Sequence, residues 1–437
     1  MKNRIFIRLT ALFMMCASLS GCVMTVDQMY RIPKRSQRYE DLQIQIDSAM
    51  GNMLYSAPVS GENRQTVQMA DLDGDGHSEI IVFAKSTDED PMKLLIFFPT
   101  EDGYELKYTL DSTGTAFDQV EYIQMDGQPG LELVVGHQLS DQVLRNMSVY
   151  TFSGDTVRLL MNANYSKLMS CDLNKDGCGD LFLIHPGEQE NDNAFAMLYT
   201  VGGEVTRSAE AELSVPVENL KRIITGVLES GENAVYVASK AGEEAILTDI
   251  FALVDGNLKN ISLSSEAGTS VQTLRNFYVY ADDIDRDGVI ELPSLISMAD
   301  PKERSGESSQ HLIRWYSMRA NGETVDKMLT YHNFVDGWYI ELEEDYSRDI
   351  KVTVSESGGY EFHLYDQATG ITQRLFTIYT LTGEQRIDVA QREELQELLK
   401  TDHVVYAAEL EENIPISIEV LRERFRLIQV YWKTGEM

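Results

Sequence analysis

Three short stretches carry oxygen-bearing side chains at a spacing that can wrap a hard cation. In the first, Asp71, Asp73, Asp75 and Glu79 stand at positions 1, 3, 5 and 9, with Gly76 at position 6. Asp172, Asn174, Asp176 and Asp180 repeat the pattern around Gly177, and Asp283, Asp285, Asp287 and Glu291 repeat it around Gly288. In such a loop alternate side chains point inward, the glycine permits a sharp reversal, and the backbone carbonyl of position 7 adds an oxygen. Clustered carboxylates without a cation repel one another, so three copies argue against metal-free acidic turns. The chemistry expected is structural calcium binding, because magnesium demands a stricter octahedron and retains its waters. An affinity of about 10⁻⁴–10⁻³ M, that of extracellular modules, is expected. An EF-hand is excluded: it needs a bidentate Glu at position 12, where this chain has Val82, Leu183 and Ser294.

Each loop runs into an apolar stretch: Ile80–Phe83, Leu181–Ile184, and Leu292. Around the first loop, runs at Val67–Leu72, Glu79–Phe83, Leu94–Phe98 and Tyr104–Leu110 are separated by turn-rich pieces, which predicts four short antiparallel strands. Two fainter copies interleave with the three complete ones. Gln124, Asp126 and Gln128 precede Leu131–Val135, with two carboxylates turned to amides, so no metal is expected there. Gly226, Leu228, Ser230 and Gly231 precede Ala234–Ala238. The five starts at 71, 124, 172, 226 and 283 are spaced by 53, 48, 54 and 57 residues. A four-strand unit recurring at this period points to a propeller or another repeat array.

On the residues Asp71–Phe83, Asp172–Ile184 and Asp283–Leu292, with degenerate copies at 124–135 and 226–238, the chain resembles the FG-GAP/VCBS repeat family. That family comprises the calcium-loop blades of integrin α-chains and many bacterial surface proteins. The resemblance implies a mainly β fold, a β-propeller of four-stranded antiparallel blades with calcium loops between neighbouring strands. Only five starts are recognisable where such propellers commonly have seven blades. Runs at Trp338–Leu342, Ile350–Val354, Tyr360–Tyr365 and Leu375–Leu381 could supply a further sheet. Residues 40–60, where Leu42, Ile44 and Ile46 alternate, could close the ring. Helix signals follow at Gln391–Lys400, with leucines at 395, 398 and 399, and after Ser417. The expected division is a signal peptide over 1–21, a lipidated tether and possible ring-closing strand over 22–59, propeller repeats over 60–330, and a C-terminal α+β domain, or a final blade plus helices, over 331–437.

Export is expected from the first 22 residues, where Lys2, Arg4 and Arg8 precede an apolar run that ends in Leu19-Ser20-Gly21-Cys22. This resembles a bacterial lipobox, which implies cleavage before Cys22 and lipidation of its thiol. Arg31, Lys34, Arg35 and Arg38 follow closely; they read either as a patch that beside acyl chains would favour anionic headgroups or as a solvated basic linker. With 70 acidic against 37 basic residues the chain would repel nucleic acid. Cys171 and Cys178 flank the second complete loop, and both a bridge and two free thiols are compatible with their separation.

Catalytic signatures are lacking: no His-Glu-x-x-His, Gly-x-Ser-x-Gly, Walker or dinucleotide-type pattern occurs. His137 and His185 each stand five residues after position 9 of their units, as ordinary strand-end histidines or as a shared site. Tyr331, Trp338 and Tyr339 could stack on a sugar, although aromatics in a strand pattern commonly belong to the core. The reading is a membrane-anchored extracytoplasmic lipoprotein with a calcium-stabilised propeller that binds an unidentified protein or glycan. The alternatives are an enzyme acting on envelope or extracellular polysaccharide, and a structural or assembly role at the envelope.

Overall fold

A computed structural model describes residues 37–429 apart from 88–90, 102, 113, 140–144, 155, 190, 203, 244, 278, 299–310, 367, 413 and 415. The export signal, Cys22 and the basic residues up to Arg35 lie outside the described residues. Among the described residues no helix is long and apolar enough to cross a membrane.

The chain is mainly β, and its described residues form six antiparallel sheets of four or five strands, taken in chain order. The first contains Leu54–Tyr55, Val67–Ala70, Glu79–Lys85, Met92–Thr100 and Gly103–Ser112; the second, Ala116–Ile123, Glu132–Gln138, Arg145–Ser153 and Thr156–Tyr165. The third spans Lys167–Cys171 to Ala211–Glu212, and the fourth Leu220–Val227 to Asn257–Asn260. The fifth runs from Leu292–Ser297 to Trp338–Leu342 and takes Phe425–Leu427 as its last strand. The sixth runs from Ile350–Val354 to Val405–Leu410.

Side chains alternate across a strand, so a strand buried on both faces reads as a continuous apolar run. That is how the sheets stack. Leu133 and Val135 meet Ile81 and Phe83 of the first sheet, whereas Val134 between them meets Leu181 and Leu183 of the third. Phe182 and Ile184 turn the other way, onto Val235 and Val237 of the fourth sheet. Ala234 and Tyr236 then meet Leu292 and Tyr316 of the fifth, and Tyr331 and Trp338 meet Phe362 and Phe376 of the sixth. Among the described residues there is no closed barrel, and no core cluster joins the sixth sheet to the first.

Three expectations need correction. Leu42, Ile44 and Ile46 do not lie on a strand, and within 40–60 it is the short strand Leu54–Tyr55 that pairs into the first sheet, opposite Lys85 and Ala84. Gln37–Met50 is a helix, because Leu42, Ile46 and Met50 recur every fourth residue and bury together on Ile80, Val82 and Phe97, while Ile44 is 66% exposed. Gln391–Lys400 is not a helix either. Gln396–Lys400 is a strand, drawn into a hairpin with Val405–Leu410 whose turn is closed by Thr401 N–H donating to Val404 O (2.8 Å). A neighbouring β-rich partner there outweighs the helical leucine spacing. A division between 330 and 331 falls inside the strand Thr324–Asn333. By contrast, Ile418–Arg424 is a helix, and the side chain of its cap Ser417 accepts from Val420 N–H.

Candidate metal centre

The three acidic loops share one backbone path. The position-6 glycines Gly76, Gly177 and Gly288 have φ of 85°, 85° and 88°, a region that only glycine enters freely. Position 4 is left-handed as well, at Gly74, Lys175 and Arg286 (φ 74°, 61° and 68°), and the two non-glycine residues there are uncommon. In each loop the position-6 N–H donates to the position-1 carboxylate: Gly76 to Asp71 Oδ2 (3.0 Å), Gly177 to Asp172 Oδ2 (3.1 Å) and Gly288 to Asp283 Oδ2 (3.0 Å). The position-2 N–H donates to position 9: Leu72 to Glu79 Oε2 (2.6 Å), Leu173 to Asp180 Oδ2 (2.9 Å) and Ile284 to Glu291 Oε2 (3.0 Å).

Glu79 and Asp180 begin the buried inner strands Glu79–Lys85 and Asp180–His185, and Glu291 immediately precedes the edge strand Leu292–Ser297. Glu79 and Glu291 are 0% exposed and Asp180 is 2% exposed. Burial pushes the Glu79 carboxyl up to about 7, and the charges of Asp73, Asp71 and Asp75 push the same way against the Leu72 N–H bond. Burial likewise raises Glu291 to about 8 and Asp180 to about 6.

Oxygens of Asp71, Asp73 and Glu79 lie within 4.8 Å of one another, as do those of Asp283, Asp285 and Glu291. Either trio could hold a metal ion. The position-5 acids Asp75 and Asp287 stand outside these trios. Asp75 Oδ1 accepts from His77 N–H (2.7 Å), and Asp287 Oδ2 faces Lys327 Nζ at 3.4 Å. In the third corner Asn174 donates through Nδ2 to Asp176 Oδ2 (2.8 Å), and its carboxylates Asp172, Asp176 and Asp180 do not form such a trio.

Glu79 Oε1, Asp172 Oδ1, Asp283 Oδ1 and Glu291 Oε1 are buried and accept no hydrogen bond among the described residues. Leaving a buried acceptor unsatisfied costs about 1–3 kcal/mol, and more when it is charged. An all-oxygen donor set with orphaned inward oxygens fits a hard divalent cation. Asp71, Asp73 and Glu79 would hold one ion and Asp283, Asp285 and Glu291 another, neutralising carboxylates that the fold has already desolvated.

The corners touch in sequence. Leu131 N–H of the second corner donates to Asp71 O of the first (3.1 Å), and Gly179 N–H of the third to Gln124 O of the second (2.7 Å). Asn233 Nδ2 of the fourth donates to Asp172 O, and Ile290 N–H of the fifth to Val227 O (3.1 Å). At the first of these crossings the backbones run close together, and a Cβ added at Gly74 would lie 2.4 Å from the Gly130 nitrogen.

The other singled-out residues do not converge. His137 is 1% exposed, with both ring nitrogens 3.1 Å from Ser112 Oγ, and burial lowers it to about 4. His185 stacks on Phe195 of its own sheet at 5.1 Å. Tyr331 and Trp338 are core residues, and Tyr339 stacks on His332 at 4.9 Å. Cys171 and Cys178 are free thiols. Two arrangements carried no signal in the sequence. Asp118, 2% exposed, accepts from Tyr165 (2.8 Å) and pairs with Arg145 (3.1 Å), and Lys327 spans Glu229 (2.7 Å) and Asp287. Beside the fifth corner, Asp285, Arg286, Tyr339, Glu341, Arg424 and Arg426 line a recess of about 190 Å³.

No family profile and no curated protein sequence matches the chain. Among solved structures it is similar to a rhamnogalacturonan lyase from Bacillus licheniformis, with 13% identity over 74% of this chain and 71% of that chain and a TM-score of 0.27. The rhamnogalacturonan lyase YesW gives 14% identity over 74% and 72%, with a TM-score of 0.27. A proposed 6-phosphogluconolactonase from Bacteroides uniformis gives 11% identity over 74% and 94%, with a TM-score of 0.28.

Proposed function

We propose that this chain is a calcium-stabilised blade array of the FG-GAP/VCBS β-propeller type, exported and anchored through lipidated Cys22, that binds a protein or glycan partner outside the cytoplasm. The observation that carries the calcium reading is the set of buried, unsatisfied carboxylate oxygens at Glu79, Asp172, Asp283 and Glu291, each at position 1 or 9 of like-shaped loops. In this reading the ions hold the corners where successive sheets meet. The mixed-charge recess beside the fifth corner suits a polar ligand such as a sugar, with guanidinium and carboxylate groups around one tyrosine.

Melting the protein with a chelator, with added calcium and with added magnesium tests the calcium reading. The chelator lowers the melting temperature, calcium restores it, and magnesium does so less well. Coincident curves in chelator and calcium would sink it. Anchoring is tested separately, by the mass of the N-terminal peptide of membrane-extracted protein. It should begin at Cys22 and carry diacylglycerol, and an unmodified Cys22 overturns that part alone.

A further inference from the structure

The second corner keeps the frame of a cation loop with different chemistry inside it. Met125 N–H donates to Glu132 Oε2 (2.8 Å) and Gln128 N–H to Asp126 Oδ1 (2.8 Å). These match the bonds from position 2 to position 9 and from position 5 to position 3 in the first loop, Leu72 to Glu79 and Asp75 to Asp73 (3.2 Å). Gly127 N–H donates to Gln124 Oε1 (2.6 Å), as Gly74 N–H does to Asp71 Oδ1 (2.8 Å). The difference lies in the Gln124 nitrogen. Gln124 Nε2 donates to the carbonyl of Gly130 (3.0 Å) and to that of Gln128. Gly130 is position 7, whose carbonyl is a backbone ligand in cation loops. The amide therefore brings partial positive charge to an oxygen that an ion would take.

The unsatisfied oxygens point the same way. The first, third and fifth corners each bury at least one carboxylate oxygen with no hydrogen bond among the described residues, whereas no oxygen of Gln124, Asp126 or Glu132 is in that state. Pro129 stands at position 6, so this corner lacks the N–H that Gly76, Gly177 and Gly288 donate to position 1.

We propose that the side-chain amide of Gln124 occupies the place of the ion in the second corner, which makes that corner a cation-free copy and a latent divalent-cation site. The proposal rests on reading the other three loops as calcium loops. Its consequence is mechanical. The second corner accepts from Gly179 N–H and donates from Leu131 N–H to Asp71, so an ion-independent link lies between two ion-dependent neighbours.

The test uses the full-length protein, with calcium counted by native mass spectrometry and melting followed in calcium and in chelator. Gln124→Leu should lower the melting temperature by roughly 2–4 °C in both buffers alike and leave the calcium count unchanged. Glu132→Gln should also leave the count unchanged. The triple variant Gln124→Asp, Gln128→Asp, Pro129→Gly should bind one more calcium than the parent and become more sensitive to chelator. A Gln124→Leu variant that melts like the parent in chelator overturns the proposal. So does a calcium count that falls with Glu132→Gln, or a folded triple variant with an unchanged count. Should the triple variant not fold, the two single variants decide. A parent that binds no calcium defeats the calcium reading alone, while the Gln124→Leu melt in chelator still tests the amide.

Discussion

Charge and burial pull against each other at single residues here, and histidine shows the effect most clearly. His332 lies between Trp315, Phe334 and Tyr339, with ring centroids 6.0, 5.4 and 4.9 Å away, and burial lowers it to about 3. Its ordinary value is near 6.5, so on acidification the unfolded chain takes up the proton before the folded one. The stabilising effect of keeping it neutral is complete above pH 6.5 and is lost as the pH falls towards about 3. Between pH 6.5 and 4.5 this residue should remove roughly 2–3 kcal/mol of stability, at about 1.4 kcal/mol per pH unit. Denaturant titrations of the parent and of His332→Phe across this range should show a shallower loss in the variant. Equal slopes would mean that the ring is protonated without cost. His137, lowered to about 4 by burial while Asp118 pulls the other way, adds to the slope in both proteins and cancels from the difference.

Element by element, the legible parts of the sequence were those with two independent signals. The strands at Trp338–Leu342, Ile350–Val354 and Tyr360–Tyr365 appear with the expected bounds, because apolar or alternating runs there are closed by turn residues, but they do not share one sheet: Trp338–Leu342 belongs to the fifth and the other two to the sixth. The shared path of the three acidic loops was legible for the same reason: carboxylate spacing and a position-6 glycine coincide, and φ near 85° shows why that glycine is needed. Where only periodicity spoke, tertiary partners decided. Leu42, Ile44 and Ile46 fit a strand as well as a helix, until the exposed face of the first sheet offers Leu42 and Ile46 a common surface. Leu395, Leu398 and Leu399 fit a helix, until Val405–Leu410 takes up the backbone bonds of the edge strand beside it. Contacts between distant side chains, such as Lys327 with Glu229 and Arg145 with Asp118, had no local pattern to announce them.

At the scale of the whole molecule, the loops with oxygen side chains at positions 1, 3, 5 and 9 and a glycine at position 6 occupy the first, third and fifth corners, and the second and fourth separate them. In a chain with a net charge of −33 this keeps uncompensated acidic clusters from facing one another across a corner. Stability in a stacked array is approximately a sum of units and nearest-neighbour interfaces, so two sites without a shared interface should not couple. At about 10 mM calcium and a dissociation constant of about 10⁻⁴–10⁻³ M, each ion would contribute roughly 1.4–2.7 kcal/mol by mass action. Asp71→Asn and Asp283→Asn should therefore each remove about that much calcium-dependent stability. The double variant should lose the sum to within about 0.5 kcal/mol, as expected for distant sites with no common partner. Calcium-induced shifts of the denaturation midpoint, measured for the parent, both single variants and the double, close the cycle. A coupling well above that margin would show that strain passes along the whole row of corners, through the second and fourth, and that the ions act as one unit.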